Sequence, residues 1–321
     1  MIKKLCLYFL LRKHYGVTPE QIHSEVGTFG IPEFGTKFVR GMLIDTKPTT
    51  FEELIRISGL SHGTDVWLNN AQTLINNGIT TLSEAICTRD DIMIYLIKQG
   101  LPPNPAFKIM ESVRKGKGLT EEQESLMRTF NVPDWYIKSC KTIKYMFPKA
   151  HAAAYVTMAF RIAWFKVHEP KAYYTAYFSI RADEFDSECM IYGKERVKNK
   201  MRELELQGNS ISAKDKNMYS ILELVLEMYE RDIEFLPIDL YKSHATRFTV
   251  ESDGIRPPLN SIPGLGTVAA ESIYKSKEDG KFMSIDDLRI RAKIGKSIIE
   301  LLQKFNCLNG MSQSNQLTLF A

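Results

Sequence analysis

Residues Ile262-Pro263-Gly264-Leu265-Gly266-Thr267-Val268-Ala269-Ala270 join an apolar approach, a Gly-x-Gly turn and small residues at a helix start. Glycines at Gly264 and Gly266 let a backbone come within hydrogen-bonding distance of a phosphate. The N–H groups and dipole of the following helix would then face that anion, which is a sequence-independent grip on a nucleic-acid backbone. An ordinary interhelical turn using glycine for its φ angle is the competing reading. A second such turn is expected at Ala292-Lys293-Ile294-Gly295-Lys296, where Lys293 and Lys296 bring positive charge and Arg289 and Arg291 lie nearby.

Lys144-Tyr145-Met146-Phe147-Pro148-Lys149-Ala150-His151-Ala152-Ala153-Ala154-Tyr155 is the second constellation, opening a helix expected to run to about His168. His151 and Tyr155 are four apart and share a helix face. Alanines between them keep that surface low, and Lys149 sits at the positive helix end, a cradle suited to a nucleoside triphosphate. The competing reading is close helix packing through the alanines with His151 satisfied locally. Arg89, Lys98, Arg114, Lys115 and Lys117 form a third cluster. Glycines Gly116 and Gly118 beside three cations suit a mobile loop that follows phosphates, or simply a solvated one. Asp90-Asp91 could suggest metal ligands, but adjacent helix positions point about 100° apart, and both suit a first helical turn after Thr88. No carboxylate pair for two-metal chemistry, nucleophile elbow or Walker loop is present, so no catalytic residue and no metal ligand is assigned.

The last residues, Gln316-Leu317-Thr318-Leu319-Phe320, follow a polar stretch, Asn309 to Asn315. Two readings stand from spacing alone. Leu317, Leu319 and Phe320 could fill an apolar pocket of a partner with the Gln316 amide at its edge, or the segment could fold back as an edge strand.

These groups must be positioned by a chain of 321 residues that is 44% hydrophobic, enough for two or three packed domains. A net charge of +4 is too small to announce nucleic acid, so the distribution has to decide. Five scattered cysteines without a Cys-x-x-Cys pair read as reduced thiols in a cytoplasm, with neither disulfide frame nor zinc site. Met1 to Leu11 imitates a signal peptide, but Arg12, Lys13 and His14 follow at once and no small-residue cleavage site appears. An initial helix is expected there, and no segment is suited to crossing a membrane.

From Thr18 to about Tyr177 the apolar residues recur at helical spacing, broken by turns such as Lys47-Pro48, Leu101-Pro102-Pro103 and Val132-Pro133. Thr50, Thr88 and Thr120 are expected helix caps. Charged helices are expected over 194–206 and 213–231. Phe235 to Leu240 and Thr246 to Val250 then read as short strands with a turn at Asp253-Gly254, and helices return after Pro257-Pro258. The expected fold is mainly α: a helical domain, then a small α+β region with tandem helix-hairpin-helix turns.

Taken in order, Gly16 to Glu20, Ile31 to Thr36, Ser58 to Trp67, Ile109 to Gly118, Phe147 to Tyr155, Ser261 to Gly266 and Gln316 to Phe320 resemble the C-terminal part of PolC-type DNA polymerase III α subunits. That resemblance implies fingers over 16–232, a duplex-binding region over 233–308, and a flexible tail over 309–321 whose Gln316 to Phe320 docks on a sliding clamp. It also implies that Arg89, Lys149, His151 and Tyr155 contact an incoming nucleotide. Such polymerases join a primer 3′-hydroxyl to the α-phosphate of a deoxynucleoside triphosphate, with two Mg²⁺ ions held by palm aspartates. No palm or exonuclease is present in these residues, and 1–15 do not continue the family pattern. A fragment or split product is therefore expected, which binds primed duplex DNA, dNTP and the clamp but does not polymerise alone, and which could join a separately encoded palm. A stand-alone clamp-tethered DNA-binding adaptor and a functionless fragment are the rival readings.

Overall fold

The computed structural model describes residues 16–181 and 184–314. They pack as two compact units, 24–164 and 16–23 joined with 165–314. The division falls inside one long helix, Lys149–His168, and the change of texture near Ile233 lies within the second unit. Composition responds to strand-like residues; it carries no sign that one continuous helix serves two packing units.

The first unit is built from helices. Pro19–Ile22 is α1, which belongs to the second unit; the first holds α2 (Lys37–Thr46), α3 (Phe51–His62), α4 (Gln72–Asn76), α5 (Arg89–Lys98), α6 (Pro103–Arg114), α7 (Glu121–Thr129), α8 (Asp134–Thr142) and the start of α9 (Lys149–His168). Caps account for many starts. Thr50 and Glu53 form a capping box on α3, and Thr120 does the same with Gln123 on α7. Each such cap is worth about 1 kcal/mol of local stability. A π-type turn at Trp67–Ala71 precedes α4, with Leu68, Asn69 and Asn70 off helical angles. Buried Asn70 satisfies both ends of its amide, donating to the Asp65 carbonyl at 3.0 Å and accepting from the Ser139 hydroxyl at 2.7 Å.

The second unit adds α10 (Pro170–Ile180), α11 (Ser187–Met190), α12 (Lys194–Leu206) and α13 (Ala213–Glu230). Its deepest polar feature is an ion pair with no exposed surface: the Lys166 ammonium lies 2.8 Å from the Glu227 carboxylate, which also accepts the Tyr174 hydroxyl at 2.6 Å. Arg231 donates to the Tyr174 oxygen at 3.1 Å and to the Lys166 carbonyl at 2.9 Å. Burial first, and the Glu227 charge second, hold the Tyr174 phenol protonated far above its ordinary range. Such a pair adds less stability than its Coulomb energy suggests, but losing one partner would strand a buried charge.

Beyond α13 lie β1 (Thr249–Val250) and β2 (Ile255–Arg256), paired antiparallel with Thr249 opposite Arg256. Phe235 to Leu240 does not form the expected strand. Phe235 makes a single parallel bridge to Ile255, after which Pro237 lacks a donor. Asp239 then turns the chain by accepting from the N–H groups of Tyr241 and Lys242, both at 2.8 Å. Thr246 to Phe248 also stay outside the ladder, and a ring cluster of Phe178, Phe185, Phe235 and Phe248 packs there, with Phe178 centroids 5.4 to 5.7 Å from the other three.

The last helices are α14 (Thr267–Ser276), α15 (Ile285–Arg291) and α16 (Lys296–Lys304), on a core that includes Leu265, Ala270, Ile273, Leu288 and Leu302. Part of the expected flexible tail is tied to them. The Ser312 and Gln313 carbonyls accept from the N–H groups of Ile285 and Asp286 at 2.9 and 3.1 Å, closing donors that a helix start leaves open. The expected initial helix within 1–15 and the expected clamp motif at Gln316, Leu317, Leu319 and Phe320 lie outside the described residues.

Candidate nucleotide and nucleic-acid interfaces

In the first unit the extended stretch from Lys144 to Pro148 organises the site. Its residues bond in turn to three remote segments. Lys144 N–H donates to the Thr64 carbonyl and Thr64 N–H to the Tyr145 carbonyl, both at 3.0 Å; Met146 N–H reaches the Arg114 carbonyl at 3.3 Å; and Arg89 N–H donates to the Phe147 carbonyl at 3.1 Å. Two glycines allow this approach. A Cβ on Gly116, which has φ +69°, would lie 2.3 Å from the Lys144 oxygen, and one on Gly63 would lie 2.9 Å from the Tyr145 oxygen. Arg89 and Arg114, expected in a cluster distinct from Lys144 to Tyr155, are thereby held beside the start of α9.

Rings then follow one another along this stretch. Tyr145 meets Phe147 at 5.1 Å, Phe147 stacks on His151 at 4.9 Å, and His151 contacts Tyr155 at 4.5 Å, as their i, i+4 spacing on α9 requires. His62 packs edge-on against both Phe147 and His151, at 5.4 and 5.9 Å. A hydrogen bond to the Glu33 carboxylate holds it from behind, and the Ser58 hydroxyl shares that carboxylate at 3.2 Å. Tyr145 and Tyr155 are 43% and 48% exposed, so the run ends in two open aromatic faces. Glu33 and His62 were not among the expected site residues. Only their position within Ile31 to Thr36 and Ser58 to Trp67 marked them.

The charges here differ from a bare cationic cradle. Asp90 accepts from Lys149 N–H at 2.6 Å, and the Lys149 ammonium lies 3.4 Å from Glu52, so the start of α9 already faces two carboxylates of its own chain. Asp91 caps α5 instead, accepting from the N–H groups of Thr88 and Cys87 at 2.8 and 3.2 Å. The adjacent aspartates thus close the starts of two helices, which is how neighbouring positions about 100° apart divide their work. Glu111 takes both Arg114 and, at 3.0 Å, Lys115. Those bonds, Arg114 before Lys115, lower its carboxyl to about 2. Lys117 is exposed and has no ion-pair partner among the described residues. The segment expected as a mobile loop is a closed turn: Lys117 N–H donates to the Ser112 carbonyl at 3.0 Å, and the Ser112 hydroxyl to the Gly118 carbonyl at 2.9 Å.

In the second unit both expected hairpins are present. A short 3₁₀ turn, Leu259–Ser261, leads to Gly264 at φ +87° and then to Gly266, the N-cap of α14. The α15–α16 turn passes Lys293 at φ +52° to Gly295, the N-cap of α16. Gly264 faces Leu301 of α16, where a Cβ would stand 3.3 Å from its methyl carbon. Gly266 and Gly295 behave differently. Their φ angles, −67° and −79°, suit any residue, and added Cβ atoms would meet nothing at Gly266 and only the Ser297 hydroxyl, at 3.9 Å, at Gly295. Neither backbone conformation nor internal packing asks for glycine there. No side chain caps either helix, so N–H donors at both starts remain open.

Of the cations near the second turn, Arg291 serves the fold. It donates to the Ser276 and Gly280 carbonyls, pairs with Asp287 at 3.3 Å and lies 4.5 Å above the Phe282 ring. Lys293 is exposed without an ion-pair partner among the described residues, while Lys296, 87% exposed, is only 3.8 Å from Glu300. No group of three or more His, Cys, Asp or Glu among the described residues could hold a metal ion, and no helix among them is long and apolar enough to cross a membrane.

Comparisons with known proteins match two stretches of the chain. The bacterial DNA polymerase III alpha subunit finger domain matches residues 19–131, and a helix-hairpin-helix motif matches 232–317. The chain is 60% identical over 305 residues to DNA polymerase III PolC-type of Clostridium perfringens and of Bacillus subtilis, covering 95% of this chain and 21% of each relative. It is 55% identical over 308 residues to the PolC-type enzyme of Thermotoga maritima, covering 96% of this chain and 22% of the relative. The chain therefore spans about a fifth of the length of the curated relatives it matches. With a finger-domain match over 19–131, a helix-hairpin-helix match over the open helix starts, and such identity across nearly its whole length, the chain corresponds to a segment of PolC-type DNA polymerase III.

Proposed function

We propose that this chain supplies the fingers and the duplex-holding hairpins of a template-directed DNA polymerase. The observation that carries the proposal is the pair of open, glycine-capped helix starts at Gly266 and Gly295. Uncapped N–H groups beside glycines that the fold itself does not need are suited to a phosphate arriving from outside. Lys293 and Lys296 supply charge to the same turn. Exchanging both for glutamate is expected to weaken duplex binding and flatten its dependence on salt, by a slope of about 0.9 for each phosphate that is no longer neutralised. An unchanged salt slope in a titration of fluorescent duplex would refute this placement.

A dNTP is the proposed ligand of the first unit. The ring run ending in Tyr145 and Tyr155 offers faces for a base, and Arg89, Lys149, His151 and Tyr155 surround the start of α9. Arg114, Lys115 and Lys117 are proposed contacts to the nucleic-acid backbone. Gln316, Leu317, Leu319 and Phe320 are the proposed peptide for a sliding clamp, supported by the family resemblance and by the alternating apolar pattern. Mg²⁺ would be held by palm aspartates on another stretch of polypeptide, and this chain is proposed not to extend a primer by itself. Primer extension by the purified chain alone would overturn that statement.

A further inference from the structure

The first hairpin forms one side of a groove of about 770 Å³, whose other walls are the first turns of α13, with Lys214, Asn217 and Met218, and the segment Glu184 to Asp186. We infer that this groove seats a sugar–phosphate strand of duplex DNA, with Lys214 and Asn217 as contacts beyond the helix-hairpin-helix itself. The inference rests on the duplex-binding reading of the hairpins. Lys214 precedes the region that the motif spans, 232–317, so the hairpin pattern does not account for it.

Lys214 is exposed and has no ion-pair partner among the described residues. It also stands in the first turn of α13, where the helix dipole disfavours a cation. The helix gains nothing locally from a lysine at this place. The groove does: Lys214 lines the same concavity as the open start of α14, so two anion-seeking features belong to one space. The same lining includes Pro263, Leu265 and Met218, apolar surface suited to deoxyribose. A cation, open N–H donors and apolar surface in one groove supply the partners that the phosphates and sugars of a strand require.

The acidic members of the lining are already engaged. Glu184 pairs with Arg181 at 3.1 Å, and Asp186 accepts from Glu188 N–H at 2.9 Å as the cap of α11. The groove is also held in shape from below. The Ser187 hydroxyl donates to the Ser261 carbonyl at 2.7 Å, and the Ser261 hydroxyl to the Pro258 carbonyl at 2.6 Å, both within the buried interior. A strand would therefore enter a preformed channel, with little ordering cost.

The test is duplex affinity of the full chain against KCl concentration for wild type, Lys214→Ala, Lys214→Arg and Asn217→Ala, with Lys108→Ala as an exposed control. Lys214→Ala is expected to lower affinity roughly three- to tenfold near 0.1 M salt and to reduce the salt slope by about 0.9, with Lys214→Arg restoring both. Asn217→Ala is expected to lower affinity roughly two- to threefold with the slope unchanged, since an uncharged amide releases no counterion. Acetylation of Lys214 should also be suppressed by duplex but not by inorganic phosphate at equal phosphate concentration. If Lys214→Ala keeps the wild-type slope while the Lys293, Lys296 double glutamate variant loses its own, the groove inference fails and the hairpin reading stands. If wild type shows no salt-dependent duplex binding, the hairpin reading fails and takes the groove with it.

Discussion

Helix starts at the ring site and at the hairpins are finished in opposite ways. At the ring site α5 and α9 begin against carboxylates of the same chain, Asp91 and Asp90, and Lys149 leans on Glu52. At the hairpins α14 and α16 begin on glycines with no side-chain cap, although α15 between them is closed by Ser284 and by the Ser312 and Gln313 carbonyls. Within the hairpin region, open donors thus fall at the two turns that carry Gly-x-Gly or Ile-Gly. The difference teaches that a positive helix end is not by itself an anion site. On the reading proposed above, the first unit offers a ligand ring faces and cationic side chains, because its helix starts are occupied, while the second offers the backbone itself.

The strongest way to break this contrast is to give the hairpins what the ring site has. Gly266→Asp with Gly295→Asp places a carboxylate at each open start, where φ and space admit it. Helix stability should hold or rise by a few tenths of a kcal/mol, because aspartate is a better N-cap than glycine. Duplex affinity should fall roughly a hundredfold or more, since two charge-assisted hydrogen bonds of about 1.5 to 3 kcal/mol each are replaced by repulsion. Calorimetry and fluorescence anisotropy on one preparation separate the two effects; unaltered affinity would remove these turns from the interface.

Glycine serves the opposite purpose in the first unit. Gly116→Ala forces a side chain into positive φ and against the Lys144 carbonyl. It should cost about 2 kcal/mol or more in urea unfolding, whereas Gly295→Ala should cost far less. Equal costs would erase the distinction between a glycine required by packing and one left for an outside backbone.

A smaller effect is expected at Asp90→Ala. Removing the carboxylate from Lys149 N–H should destabilise α9 by about 1 kcal/mol. It should also raise dNTP affinity a few-fold in a titration followed by tyrosine fluorescence, because the first donor of α9 is freed for a phosphate. A fall in affinity would mean that Asp90 orders the site rather than competing for it.

How far the sequence disclosed all this depended on the range of the interaction. Caps at Thr50, Thr88 and Thr120, the two hairpins and the pairing of His151 with Tyr155 are set within a few residues, and spacing was enough. That two adjacent aspartates would serve different ends was readable from helix geometry. The target of Asp90, an N–H group 59 residues away, was not. Arg89, Arg114 and Thr64 meet through backbone bonds to 144–147, and a main-chain group carries no residue-type signature. The strand expected over 235–240 failed for the same reason in reverse: its side chains suit a sheet, but Pro237 and the Asp239 turn deny it the ladder. Polar residues 312–314 looked like a loose tail because a carbonyl that closes α15 could belong to any residue type.

The most modest prediction concerns the turn leading into the first hairpin. His244 Nδ1 accepts from the N–H groups of Thr246 and Arg247 at 3.0 and 3.2 Å, and the His244 and Ala245 carbonyls accept from Leu259 and Asn260 just before the hairpin. Burial, then the charges of Arg247 and Lys277, lower its pKa from the ordinary 6.5. The folded state therefore binds this proton less readily than the unfolded chain, so its contribution is complete above about 6.5 and is lost as pH falls through the lower folded value. Solvent screening limits the loss to on the order of a few tenths of a kcal/mol. His244→Asn keeps an acceptor for the same two N–H groups and cannot titrate, so its stability should change less than that of wild type between pH 7.5 and 5.5 in urea unfolding. Parallel pH dependence in both proteins would show that the histidine does not govern the turn, leaving the open donors of α14 and α16 to set the hairpins apart from the closed helix starts at the ring site.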